Sequence, residues 1–121
     1  EITDHPNHPD SISAVMDTSG NLIVTVWADA TSDTIYLYHD SHTGTINYNI
    51  AVATITNPMT SNVQKLRATI SSGLTDGIYL IGARCEKAGA LETNTDMVCS
   101  VLRDKDTPAI VSLLTGVGVS A

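Results

Sequence analysis

Two cysteines, Cys85 and Cys99, are the only thiols in the 121 residues, and they flank residues 88–95 almost symmetrically. If the segments carrying them pair with 85 opposite 99, their Cβ atoms fall within the ~3.5–4.5 Å that a disulfide requires. Such a bridge would staple a loop of about 13 residues, worth roughly 2–3 kcal/mol through chain entropy, and would suit an oxidising compartment. The alternative is a pair of buried thiols packed as small hydrophobes. A metal site is a poorer fit, because no His and no further Cys stands near them in sequence. Neither thiol has a helix terminus or a neighbouring His to lower its pKa, so a nucleophilic role is not expected.

Three polar clusters carry the residue types of other chemistries. Asp4, His5, His8 and Asp10 hold metal-binding side chains, but Pro6 and Pro9 exclude the helix that would present the histidines on one face. That stretch is expected to be a solvent-exposed arm. His39-Asp40-Ser41-His42 contains the members of a nucleophilic triad, yet triads are assembled from separated segments, not from neighbours in one loop. Asp104 and Asp106 are weak calcium candidates, in combination with residues 29–33 or Asp76, without the spacing of a calcium-binding loop. There is no G-x-S-x-G elbow, no phosphate-binding glycine loop and no H-E-x-x-H. The expectation is a non-enzyme with no cofactor and no resident metal.

Charge narrows the partners. With 6 Lys and Arg against 13 Asp and Glu, the net charge is −7, and the cations are scattered. Nucleic acid recognition needs a concentrated cationic face, so nucleic acid is not expected as a partner. No apolar run approaches the ~20 residues of a membrane-spanning helix. The chain opens on Glu1, not Met, and so reads as a processed product or an excised segment.

The elements that must position these residues follow from the period of the apolar pattern. Residues 1–10 show no periodicity and read as an extended N-terminal arm. From Ser11 onward apolar and polar residues alternate with period two, broken by turn residues. Ile12, Ala14 and Met16 precede a turn at residues 17–20. Leu22, Val24 and Val26 oppose Ile23, Thr25 and Trp27 in the next strand. Residues 34–39 alternate Ile35 and Leu37 with Tyr36 and Tyr38. Further strands are expected over 45–55, 63–71, 78–87 and 97–103, the third of these apolar on both faces as a central strand should be. The expected core is Leu22, Val24, Val26, Trp27, Leu37, Ile50, Leu66, Ile70, Tyr79, Ile81 and Val98.

Seven short strands at about ten-residue spacing, with no amphipathic helix between them, predict an all-β antiparallel sandwich of the immunoglobulin kind over residues 11–108. Leu22-Ile-Val-Thr-Val-Trp27, the following Tyr36 or Tyr38, and Leu74-Thr-Asp-Gly77-Ile-Tyr79 together resemble the fibronectin type III pattern. In that pattern a leucine, a turn and a tyrosine form a tyrosine corner. The stretch running on to Arg103-Asp-Lys-Asp-Thr-Pro108 is also similar to bacterial Ig-like modules. The resemblance implies a modular, non-catalytic role in surface proteins, adhesins or phage virions. Independently of it, Tyr79 can bury its ring and return its hydroxyl to the backbone of the turn.

Residues 109–121 lie beyond the last expected strand, with Val117, Val119 and Ala121 alternating against Gly116, Gly118 and Ser120. They form either an added edge strand or a segment that completes a sheet in a neighbouring copy or domain, with Ile110, Leu113, Val117 and Val119 as its apolar contacts. Function is thus expected to lie in protein contacts within an extracellular, cell-surface or virion assembly. The second reading is a carbohydrate- or ligand-binding sandwich using Tyr36, Tyr38 and Tyr48 as stacking platforms.

Overall fold

A computed structural model describes residues 6–7, 9–58, 62–88, 90–91 and 97–105. Eight strand segments follow in chain order: β1 (Ser11–Met16), β2 (Leu22–Ala28), β3 (Thr34–His39), β4 (Ala53–Thr56), β5 (Gln64–Ile70), β6 (Gly77–Lys87), β7 (Ala90–Leu91) and β8 (Val98–Arg103). They form two antiparallel sheets, one ordered β1-β2-β5 and one ordered β4-β3-β6, with β7 and β8 both pairing along the free side of β6. This is an antiparallel, immunoglobulin-like β-sandwich, and the described residues contain no helix.

The alternation in the sequence sets which face each residue takes. Leu22, Val24 and Val26 are fully buried between the sheets, across from Ile35, Leu37, Tyr79, Ile81, Ala83 and Cys85. β-branched residues crowd both sheets because their stiff side chains pack well on a pleated surface. Register keeps the faces aligned, with Val24 opposite Ala14 on one side and Ala68 on the other, and Leu37 opposite Ala83. Leu66 packs against the core while remaining partly exposed.

Three residues expected in the core stand outside it. Trp27 is 40% exposed, because the pleat that buries Val26 must turn its neighbour outward. Val98 is turned out by the same rule, since Cys99 takes the inward position on β8. Ile50 is 65% exposed for a different reason. Residues 45–52 are not a strand; pairing with β3 begins at the Val52 amide, which donates to the Leu37 carbonyl at 2.8 Å, and continues through Ile35 opposite Ile55.

The N-terminal stretch also departs from the expected free arm. Pro6 and Pro9 are buried, the Asn7 amide donates to Thr31 Oγ1 (2.8 Å), and Asn7 Nδ2 donates to Asp29 Oδ2 (2.8 Å). Asp10 then donates its amide to the Trp27 carbonyl, extending the β1–β2 ladder. The prolines exclude a helix but not an extended segment docked on the β2–β3 connection. Asp4, His5 and His8 lie outside the described residues.

Candidate interaction surfaces

The outer face of the β4-β3-β6-β8 sheet carries Tyr36, Tyr38, Arg84 and Glu86, and the connection between β3 and β4 folds over part of it. Asp40, buried at the end of β3, organises that connection. Its carboxylate accepts the amides of His42 (3.0 Å), Gly44 (2.8 Å) and Leu80 (3.1 Å), tying the loop to itself and to β6. Burial alone would raise its pKa, but the amides of Gly44, Leu80 and His42 outweigh that and hold it below the usual carboxylate value.

From this anchor the chain lays Tyr48 against Tyr38, with ring centroids 5.0 Å apart, and brings it within 5.6 Å of the Arg84 guanidinium. Beneath it lies Gly82, where a Cβ would meet Tyr48 Oη at 2.5 Å and Ile46 Cδ1 at 3.1 Å. Only a glycine admits this close approach. Tyr38 is therefore 5% exposed, and Tyr36 Oη donates to Glu86 Oε1 at 3.0 Å, which raises the phenol's pKa. The structure brings the three tyrosines to one face, with Tyr38 buried and Tyr36 and Tyr48 half-buried. Tyr38 is not an exposed stacking platform.

At the same end His42 fills the space beside the β5–β6 turn. Its Nδ1 lies 2.9 Å from the Ile78 carbonyl and its Nε2 2.9 Å from Thr75 Oγ1. A carbonyl only accepts, so Nδ1 carries the proton and, in the neutral ring, Nε2 accepts from the Thr75 hydroxyl. The ring stacks on Tyr79 with centroids 4.1 Å apart. A Cβ at Gly77 would lie 2.9 Å from the imidazole, and its φ of +138° is a conformation that favours glycine. Tyr79, 1% exposed, has the expected corner geometry: its hydroxyl accepts the Thr75 amide at 2.9 Å.

No triad forms in this loop. His39 Nδ1 accepts the Ser41 amide (3.0 Å) and stands 3.4 Å from Ser41 Oγ, while the Asp40 carboxylate is committed to backbone amides. Partial burial lowers the His39 pKa, disfavouring its protonated form. A cavity of about 200 Å³ lined by His39, Ser41, Asn47, Ile50 and Val52 adjoins it. That is smaller than the ~300–1,000 Å³ usual for ligand pockets.

Arg103, read from sequence as the end of the strand over 97–103, is a buried clamp. Its Nη1 pairs with Asp76 Oδ1 at 2.9 Å and its Nε donates to the Gly20 carbonyl at 2.7 Å, joining the end of β8 to the β1–β2 and β5–β6 turns. Pairing with Arg103 draws Asp76 away from the calcium set proposed around Asp104. Asp29 and Asp33 belong to the β2–β3 connection, at the opposite end of the sandwich from Asp104, and their carboxylates accept from Thr31 and Ala88. Among the described residues no group of three metal-ligating side chains assembles; Asp106 lies outside them.

The cysteines do not pair. β6 and β8 register Cys99 opposite Ile81, leaving Cys85 four residues, or roughly 13 Å, further along the strand. Both are thiols, Cys85 buried and Cys99 half-buried, and burial pushes Cys99 up to about 11. The near-symmetry of the flanking sequence misled because the turn is displaced: Ala83 bonds to Met97, so the strands meet well short of residue 85.

Two apolar features remain open. One is a ridge beside β8, where Ile78, 62% exposed, stands opposite Leu102, with Val98 also exposed further along the strand. The assembly residues Ile110, Leu113, Val117 and Val119 lie outside the described residues; β8, from which they continue, lies within. The other is the outer face of β1-β2-β5, where Trp27 lies open with Lys65 Nζ 5.9 Å from its ring centroid. Neither was legible as a surface in the sequence, since exposure depends on which sheet faces the connections cover.

No protein-family model matches the chain, and no curated protein matches it in sequence. Among solved structures it is similar to a Fn3-like protein from Clostridium thermocellum, at 19% identity, with a TM-score of 0.59, over 79% of this chain and 91% of that one. Two antiparallel sheets, the tyrosine corner at Tyr79 and this structural likeness establish that the chain has a fibronectin type III-like fold.

Proposed function

We propose that this domain is a non-catalytic structural or interaction subunit of an extracellular, cell-surface or virion assembly, such as a surface filament, an adhesin or a phage appendage. Its contacts are made through the β8 edge and the segment that follows it, to copies of itself or to adjacent domains. The observation that carries this reading is the apolar ridge of Ile78, Leu102 and Val98 on a sheet edge. An edge strand offers unpaired backbone groups to an incoming strand, and exposed aliphatic side chains beside it supply the buried area that makes such pairing stable. Residues 109–121 have the alternation of such a strand. The rigid, cross-tied end built by Asp40, His42 and Arg103 supports a scaffold role rather than a moving one.

Light scattering and negative-stain microscopy on the full chain test this. Regular oligomers or filaments that are lost in Leu102→Lys, in Ile78→Lys and on deletion of 109–121, with the circular dichroism spectrum unchanged, are the expected result. A full-length protein that stays monomeric up to millimolar concentration overturns it.

A further inference from the structure

The outer face of β1-β2-β5 presents three rows of three residues: Ser11, Trp27 and Lys65; Ser13, Thr25 and Arg67; Val15, Ile23 and Thr69. The chain has 13 acidic residues, yet none occupies these positions, while two of its six cations do. Arg67 and Lys65 form no ion pair among the described residues, and the indole N–H of Trp27 makes no hydrogen bond there. The nearest acid along β2, Asp29, accepts from Asn7 and Thr31. Thus the molecule gathers an exposed indole with Lys65 over its ring, two cations without an ion pair among the described residues, and four hydroxyls on one face.

We infer that this face binds an acidic glycan, a polysaccharide whose sugar rings carry carboxylates or sulfates. A pyranose offers an apolar C–H face to stack on the exposed indole and a polar rim for the Ser and Thr hydroxyls. Strands lie about 4.8 Å apart and alternate outward residues about 6.8 Å apart, so Trp27, Lys65 and Arg67 fall within the span of a few adjoining sugars. The anionic groups answer the cations: Lys65, whose ammonium lies over the indole ring, and Arg67 with a planar fork suited to carboxylate or sulfate. The outward side chains of a sheet face offer no unpaired backbone groups to an added peptide strand, and two cations fall short of the concentrated cationic face that nucleic acid requires. This inference is independent of the assembly role, which uses the other sheet.

Trp27 is the only tryptophan, so its fluorescence reports this face directly. The full chain is titrated with polygalacturonate, dextran sulfate, neutral dextran and polyglutamate at low salt. A saturable emission change with at least one of the two anionic polysaccharides, weakened by salt and absent with dextran and polyglutamate, is expected; which of the two binds tells carboxylate from sulfate. Arg67→Glu and Lys65→Glu each lower affinity by roughly tenfold or more in the same titration. Trp27→Ala, followed by affinity electrophoresis in polysaccharide gels, does the same. Silence with both anionic polysaccharides, equal binding of polyglutamate, affinity unchanged in Arg67→Glu, or an emission shift driven by protein concentration alone each overturns the proposal. The last would assign the face to a second copy of the chain.

Discussion

The two outward faces of this sandwich are built from the same alternating pattern and end in opposite states. On the β4-β3-β6 side, the connection after His39 folds back over the sheet, so Tyr48 covers Gly82 and Tyr38. On the β1-β2-β5 side nothing among the described residues covers the sheet, and Trp27 lies open beside Lys65. The difference comes from one buried carboxylate and one missing side chain. Asp40 holds three amides and fixes the start of the loop; Gly82 leaves the hollow that the loop fills. An aromatic residue on a strand's outer face is therefore not a binding surface until the neighbouring connection is known to leave it bare.

Breaking the cover should have the largest effect. Gly82→Val drives a branched side chain into Tyr48 and Ile46, and about 3 kcal/mol of destabilisation is expected in urea denaturation. Thr25→Val, in the middle of the bare face, should stay within about 0.5 kcal/mol. Equal costs at the two positions would show that the loop does not close on the sheet.

Next comes the anchor. Asp40→Asn turns an amide NH₂ toward a backbone donor and should cost about 2 kcal/mol. The pKa of Asp40 is depressed in the folded state, so its contribution is present above the ordinary carboxylate range and is lost as pH falls through the folded value. The acid limb of a melting-temperature profile should flatten in Asp40→Asn without vanishing, since Asp17 and Asp33 are depressed as well, Asp17 chiefly by the Asn21 amide and Asp33 chiefly by the Ala88 amide.

Smaller still is the indole. Trp27→Ala removes a partly exposed side chain, and a stability change below about 1 kcal/mol is expected, measured by the same denaturation. The thiols mark the zero of the scale. Adding reductant should leave the melting temperature unchanged, and both Cys85 and Cys99 should react with a thiol reagent once the protein is denatured without reductant. A drop in melting temperature on reduction would restore the bridge.

What the sequence determined by itself was local: period-two alternation in β2, β3, β5 and β6, turn residues between them, and from these the sandwich and the corner at Tyr79. Alternation is a property of the strand, so it can be read one strand at a time. It even placed Trp27 on the face opposite Val26, although size argued for the core. Tertiary structure alone decided the rest. Register is a relation between strands, so it moved Cys99 opposite Ile81 and not Cys85. Loop path is a relation between a connection and a distant sheet, so it exposed Ile50 and buried Tyr38. Arg103 became a clamp only when two turns met the end of β8 at one end of the sandwich, a meeting that no run of neighbouring residues encodes.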